Sequence, residues 1–194
     1  MKIRQKPPAA GEIHIWRIEL PGADRRAAAR RALAAILAEY LGDEAIELSP
    51  DGNGKPRLAT APERLSFNLS HSGDLALVAI APGGIEVGVD VERLRPRRDL
   101  VRLATRRLPE ADAATVAAAE ETEREPTFYA AWTRYEARVK CTGTGVDGPE
   151  PGAGVIARQL PIDDGYAAAV AFGTGSTGTA DTRVELRTWE PRQP

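Results

Sequence analysis

Two kinds of apolar spacing succeed one another along this chain, and their order limits the folds open to it. Residues 12–20 (EIHIWRIEL) alternate apolar and polar side chains, which predicts a half-buried strand with Ile13, Ile15 and Ile18 on one face. The period then changes. Asp24 is placed to cap a helix reaching about Leu41, with Leu33, Ile36, Leu37, Tyr40 and Leu41 on one buried stripe. Gly42 is its natural stop. Asp51–Pro56 (DGNGKP) is turn chemistry, and strands follow over Leu65–Leu69 and Leu75–Ala81, the second ending in Pro-Gly-Gly. Past a division near Gly83–Glu86 the spacing predicts a strand over Val87–Val91. Helices come next, over Asp99–Arg107, Asp112–Ala119 and about Thr127–Cys141, then strands over Tyr166–Phe172 and Arg183–Trp189. Gly173–Thr179 (GTGSTGT) reads as a loop. Helix plus strands in each half predicts an α+β chain of two similar-sized lobes, residues 1–86 and 87–194.

Composition narrows the setting. No apolar run approaches the ~18 residues that a bilayer crossing needs, and the N-terminal residues MKIRQKPPAAGEIHIW lack the apolar stretch of a signal peptide. The single cysteine, Cys141, excludes an internal disulfide framework and suits a reducing compartment. A cytoplasmic protein without a membrane partner is expected. A net charge of −2 argues against nucleic-acid binding. Only Lys2, Lys6, Lys55 and Lys140 are lysines among 26 basic residues. In a chain so biased to arginine, a lysine suggests a place that needs a compact ammonium.

Four short segments carry candidate chemistry. Asp90 and Glu92 stand at i and i+2 of a strand, so both carboxylates share one face and can hold a hard cation through oxygen. They equally suit a solvated face. Trp132, Glu136 and Lys140 are four apart and form one stripe of a helix whose other residues include Ala130, Ala131, Ala137 and Val139. An acid and a base on so apolar a helix need partners, which a metal and a phosphate would supply; a simple Glu–Lys pair also fits. His71, within Phe67-Asn-Leu-Ser-His-Ser72, can donate to a phosphate or be a satisfied turn residue. Gly54-Lys55-Pro56 is a rigid turn presenting one ammonium.

In this order the four segments resemble the surfactin-type (Sfp-type) 4′-phosphopantetheinyl transferases. That family is known by a GKP turn, an (F)N(I/L)SHS segment, a G(I/V)D(V/I)E strand and a W-x-x-x-E-(A/S)-x-x-K helix. Here these are Gly54–Pro56, Phe67–Ser72, Gly88–Glu92 and Trp132–Lys140, the last running on into Thr142-Gly-Thr-Gly145. The resemblance covers roughly residues 24–146, and GYAAAVAF and RVELRTWEP are similar to the family's closing strands. One departure is Tyr135, where the family often has lysine; Arg134 stands beside it.

The resemblance implies two pseudo-symmetric α/β lobes, each a small antiparallel sheet packed with helices, with coenzyme A between them. It also implies Mg²⁺-dependent transfer of phosphopantetheine from coenzyme A to a carrier-protein serine, as in holo-[acyl-carrier-protein] synthases, by a monomer. Carried over residue by residue, Asp90, Glu92 and Glu136 would hold the Mg²⁺, and Glu136 and Lys140 would act in catalysis. Arg25, Arg26, Lys55, Pro56, Ser70 and His71 would contact coenzyme A, together with Asp90 and Lys140. Arg95, Arg97 and Arg102, from a run of seven arginines between residues 93 and 107, would receive an acidic carrier protein. Two alternatives stand beside this reading: a coenzyme A- or carrier-binding relative without catalysis, and another Mg²⁺ phosphotransferase with paired carboxylates. The second would not depend on His71.

Overall fold

The computed structural model describes residues 5–42, 46–50, 52, 55–59, 63–145, 152, 154–174 and 181–190. Gly54 of the GKP turn lies outside the described residues. The first half opens with strand β1 (Glu12–Glu19) and helix α1 (Arg25–Leu41), continues through short strands β2 (Leu48–Pro50) and β3 (Pro56–Leu58), and ends with β4 (Leu65–Ser72) and β5 (Leu75–Pro82). The second half runs β6 (Val87–Arg93), α2 (Leu100–Arg107), α3 (Glu110–Ala118), α4 (Glu121–Thr142), β7 (Val155–Gln159), β8 (Tyr166–Gly173) and β9 (Arg183–Trp189).

Helix α1 forms where its end signals place it. The Asp24 side chain accepts from the Ala27 N–H, and Gly42, left-handed at φ 78°, donates its own N–H to the Ala38 carbonyl. Its apolar stripe buries Ala29, Ala32, Leu33, Ile36, Leu37, Tyr40 and Leu41 against Trp16, Ile18, Phe67, Val78 and Ile80. These belong to a four-stranded sheet ordered β4-β5-β1-β9.

Strand β1 departs from the half-buried expectation. Trp16 and Ile18 face α1, while Ile13 and Ile15, of opposite parity, enter a second core with Val87, Val89, Val91, Val170 and Phe172. The strand is interior to the sheet and sandwiched on both faces, so strict alternation of apolar and polar side chains is not required of it. Ile18 therefore does not share a face with Ile13 and Ile15.

The last strand also differs from a division made along the sequence. β9 runs parallel beside β1, with Glu12 opposite Arg183 and Ile18 opposite Trp189. It thus adds to the sheet of the first half, although it lies in residues 87–194. Pairing between chain ends has no local signature. The other sheet is antiparallel, ordered β6-β8-β7. β7 had no sequence signal: it is five residues, VIARQ, four of intermediate burial and the last exposed, beside glycine-rich chain.

Helix α4 begins earlier than Thr127, at Glu121, with Pro126 inside its second turn. It lies on β6 and β8 through Ala137, Cys141, Ala169 and Ala171. At Gly88 an added Cβ would meet the Ala137 carbonyl oxygen at 2.2 Å and the Cys141 nitrogen at 2.4 Å. Only glycine lets the helix backbone come this close to the strand. The architecture is α+β, small and mostly antiparallel sheets packed with helices. No helix among the described residues is long and apolar enough to cross a membrane.

Candidate active site

The two sheets meet where β4 runs beside β6, and side chains rather than backbone close the gap. Asn68, Ser70 and Ser72 alternate along β4, so all three point the same way. Asn68 Oδ1 accepts from the Val89 N–H at 2.9 Å, Ser70 Oγ from Val91 N–H at 3.4 Å and Ser72 Oγ from Arg93 N–H at 3.1 Å. The same serines reach the strand carboxylates. Ser70 Oγ donates to Asp90 Oδ1 and Ser72 Oγ to Glu92 Oε2, both at 2.9 Å.

Helix α4, held close by Gly88, adds its charged stripe to this edge. Lys140 Nζ donates to Asp90 Oδ1 at 2.6 Å and to Ser70 Oγ at 3.0 Å. Asp90 is only 3% exposed, and its Oδ2 has no hydrogen-bond partner among the described residues. Burial pushes the Asp90 carboxyl above its usual range, against the pull of Lys140. Glu136 is likewise pushed up by burial and by the Asp90 charge, with Lys140 opposing. The strand pair and the helix stripe thus form one charged cluster. An orphaned, buried carboxylate oxygen beside two further carboxylates fits a hard divalent cation, which bonds oxygen and would draw these groups to their ionised forms.

The carboxylates are not yet gathered as ligands. Among the described residues the one trio whose ligating atoms all lie within 4.8 Å of one another is Glu12, His14 and Glu185. That trio already surrounds a cation, the Arg187 guanidinium, which lies 3.1 Å from Glu185 Oε1 and 3.0 Å from His14 Nε2. Asp90, Glu92 and Glu136 are spread wider, with the Lys140 ammonium on Asp90.

On the other side of β4 lies a cleft of about 430 Å³. Arg26 and Arg30 from α1, His71 from β4 and Pro56 from β3 border it over an apolar floor that includes Leu33 and Phe67. One strand therefore links cleft and cluster: His71 borders the first, and its neighbours Ser70 and Ser72 touch the second. Arg25 lies apart, 4.0 Å from an Asp74 carboxylate oxygen. Arg30 was not expected from sequence, yet it stands one turn after Arg26 on the same helix face.

Lys55 has other employment. Its ammonium, 8% exposed, donates to Glu86 Oε2 at 3.0 Å and to the carbonyls of Val87 and Cys141 at 3.0 and 3.2 Å. It ties the start of β6 to the end of α4. A contact from Lys55 to a phosphate is not carried by this geometry. Cys141 donates to the Glu86 carbonyl at 3.3 Å, and burial pushes its thiol up to about 11, which makes it a packing residue rather than a nucleophile. Arg134, beside Tyr135, pairs with Asp112 at 3.3 Å.

The arginine run divides. Arg97, Arg98, Arg102 and Arg106 surround one shallow depression of about 460 Å³. Arg93 instead pairs with Asp74 at 3.3 Å. Arg95 is held through its backbone, its N–H donating to the Tyr129 hydroxyl, which donates in turn to the Arg95 carbonyl.

Comparison with known proteins agrees with this geometry. Residues 86–171, which include β6 and α4, match the model of the 4′-phosphopantetheinyl transferase superfamily. The chain is 32% identical over 177 residues to the 4′-phosphopantetheinyl transferase HetI of a Nostoc species, covering 73% of this chain and 74% of that protein. It is 37% identical over 107 residues to the 4′-phosphopantetheinyl transferase psf-1 of Bacillus pumilus, where the match covers 53% of this chain and 42% of the relative. With the 4′-phosphopantetheinyl transferase AcpT of Escherichia coli K12 it shares 42% identity over 91 residues, 46% of this chain and 45% of that protein. Match and geometry meet on the same strand and helix, and the chain belongs to the 4′-phosphopantetheinyl transferase superfamily.

Proposed function

We propose that this chain is a surfactin-type member of its superfamily. It transfers the 4′-phosphopantetheine of coenzyme A to the serine hydroxyl of an apo acyl or peptidyl carrier protein and releases 3′,5′-ADP. The observation that carries this reading is the Asp90–Glu92–Glu136–Lys140 cluster standing one strand away from a basic cleft. The first half holds the 3′-phosphate end of coenzyme A, and the second half holds the ion and the reacting groups. Both lie in one chain, which supports a monomer. The lone buried thiol supports a reducing, cytoplasmic setting.

Arg26, Arg30 and His71 grip the 3′-phosphate with charge-assisted bonds. Asp90, Glu92 and Glu136 hold Mg²⁺, which when bound neutralises and orients the pyrophosphate. Lys140, partly exposed between Asp90 and solvent, moves its ammonium onto the phosphates as charge develops there. Glu136 takes the proton of the attacking serine, directly or through water. Chemistry of this type rests on positioning and neutralisation more than on covalent participation. Arg97 and Arg102 of the arginine depression, with Arg95 beside it, steer an acidic carrier helix toward the site.

The test is one incubation of apo-carrier, coenzyme A and Mg²⁺, read by mass spectrometry. The carrier gains one phosphopantetheine, and chelation of the metal stops the gain. An unmodified carrier from several pathways would overturn the assignment and favour a binding role.

A further inference from the structure

The serines of Asn68-Leu-Ser-His-Ser72 do more at the seam than satisfy β6. Each makes the same pair of bonds. Ser70 Oγ meets Asp90 Oδ1 and the N–H of Val91; Ser72 Oγ meets Glu92 Oε2 and the N–H of Arg93. Asn68 makes only the backbone half of this pattern, to Val89 N–H, where β6 has no carboxylate. A hydroxyl has one proton to give and two lone pairs to receive. Ser70 uses all three, giving to Asp90 and receiving from Val91 and Lys140.

We infer that Ser70 and Ser72 are positioning residues, each fixing the orientation of one ion-binding carboxylate of β6 by a bond to it and an anchor on the next backbone N–H. This rests on the reading above that Asp90 and Glu92 bind a divalent cation. A carboxylate on a strand turns freely about its side-chain bonds unless something holds it, and an ion that must order its own ligands binds less tightly. Ser70 and Ser72 remove that freedom in advance. Outer partners of this kind typically change metal affinity about 10–100-fold when lost. Ser70 has a second duty, since it also receives the Lys140 ammonium and sets the spacing between cation and acid.

The probe is Mn²⁺, titrated into the full chain holding coenzyme A without carrier and followed by the paramagnetic signal of the free ion. Ser72→Ala is expected to weaken Mn²⁺ binding about tenfold, and Ser72→Thr, which keeps the hydroxyl, to restore it. Ser70→Ala should lose at least as much. Because Ser70 is buried and its loss can unfold the chain, the half-buried Ser72 variants decide the matter. Asn68→Ala removes an equivalent seam bond without touching a carboxylate. Asn68 also borders the cleft, so coenzyme A is held at saturation for every variant, and the Mn²⁺ affinity of Asn68→Ala should then stay at the level of the parent. Equal weakening in Asn68→Ala and Ser72→Ala would make the effect one of the seam alone and overturn the proposal. Parent affinity in Ser72→Ala, with Asp90→Ala losing the ion, would overturn it while leaving the cation site standing. Parent affinity in Asp90→Ala would bring down both.

Discussion

Each half of the molecule lays a helix on a sheet, but the two helices put their polar residues to opposite use. The stripe of α1 against its sheet is hydrocarbon, and the one buried polar group it brings, the Tyr40 hydroxyl, lies 2.7 Å from His14 Nδ1 and 2.9 Å from Trp16 Nε1. Its cations, Arg26 and Arg30, stand out over a solvent cleft. α4 touches its sheet through small residues, Ala137 and Cys141, and so brings Glu136 and Lys140 down beside the buried Asp90. Burying paired charges is close to neutral for stability at best, whereas burying hydrocarbon is plainly favourable. The first arrangement serves folding, with binding at its margin. On the function proposed above, the second is retained for its chemistry.

The largest effects should come from exchanging those two uses. Asp90→Ala is expected to keep the fold and lower turnover on the order of 10³-fold or more, comparable to losing a key electrostatic group. Leu37→Ala, at a fully buried position of α1, should lower unfolding free energy by about 2–5 kcal/mol with turnover of the folded fraction retained. Thermal melts and single-turnover assays on both variants read the contrast. Near-parental turnover in Asp90→Ala at saturating Mg²⁺ would remove the chemical role from the second half.

Lys140 sharpens the comparison at the next level. Lys140→Ala should lower kcat on the order of 10²-fold with little change in KM, the pattern of an interaction that strengthens in the transition state. Added Mg²⁺ should not restore it, because no ion replaces a positioned ammonium. Glu136→Gln should respond differently, recovering part of its rate as Mg²⁺ fills a weakened site. Lys140→Arg keeps charge but brings a planar, bulkier group to a place where the ammonium already sits 2.6 Å from Asp90, so poor rescue is expected. Full activity in Lys140→Ala would make it a partner of Asp90 and nothing more.

Much of this was legible in the chain because it is local. Asp24 and Gly42 mark the ends of α1 by their own capping chemistry, and the i, i+4 spacing puts Glu136 and Lys140 on one stripe before any fold is known. The i, i+2 spacing does the same for Asp90 and Glu92. What could not be read depends on partners far away in sequence. β9 lies beside β1 across more than the whole second half of the chain. Ile18 changes faces because a second sheet covers β1. Lys55 stands in the GKP turn whose family role is phosphate contact, yet its acceptors at Val87 and Cys141 arrive from β6 and α4. The acceptor of the Ser72 hydroxyl, Glu92, comes from β6, 20 residues further along the chain. Arg30 was within reach, since it repeats Arg26 one turn later.

His71 and Lys55 separate binding from support within the first half. His71→Ala removes an exposed group at the cleft, so the preference for coenzyme A over dephospho-coenzyme A should shrink about tenfold, the worth of one charge-assisted bond. Melting should hardly change. Lys55→Met should instead lower the melting temperature, since Glu86 and two carbonyls lose a donor, and weaken both ligands alike. Calorimetric titration of the two ligands reads the difference. Loss of the 3′-phosphate preference in Lys55→Met, with melting unchanged, would return Lys55 to the phosphate.

The smallest effect expected concerns the one buried histidine of the first half, and it asks whether that half titrates at all. His14 is 1% exposed, between the Tyr40 hydroxyl at 2.7 Å and the Arg187 guanidinium at 3.0 Å. Burial, and then the Arg187 charge, hold it below its ordinary value of 6.5, while Glu12 and Glu185 pull the other way. A group that binds its proton more weakly when folded than when unfolded contributes stability above the unfolded value and loses it as pH falls toward the folded one. Stability should therefore decline as pH drops below about 6.5, ahead of the general protonation of carboxylates. The decline should be shallow, because the two glutamates partly compensate. His14→Gln cannot take up that proton and keeps a polar group for Tyr40, so its melting temperature should be flatter across the same interval, although lower throughout. If parent and His14→Gln lose stability in parallel from neutral pH downward, the acid response belongs to carboxylates elsewhere and not to His14.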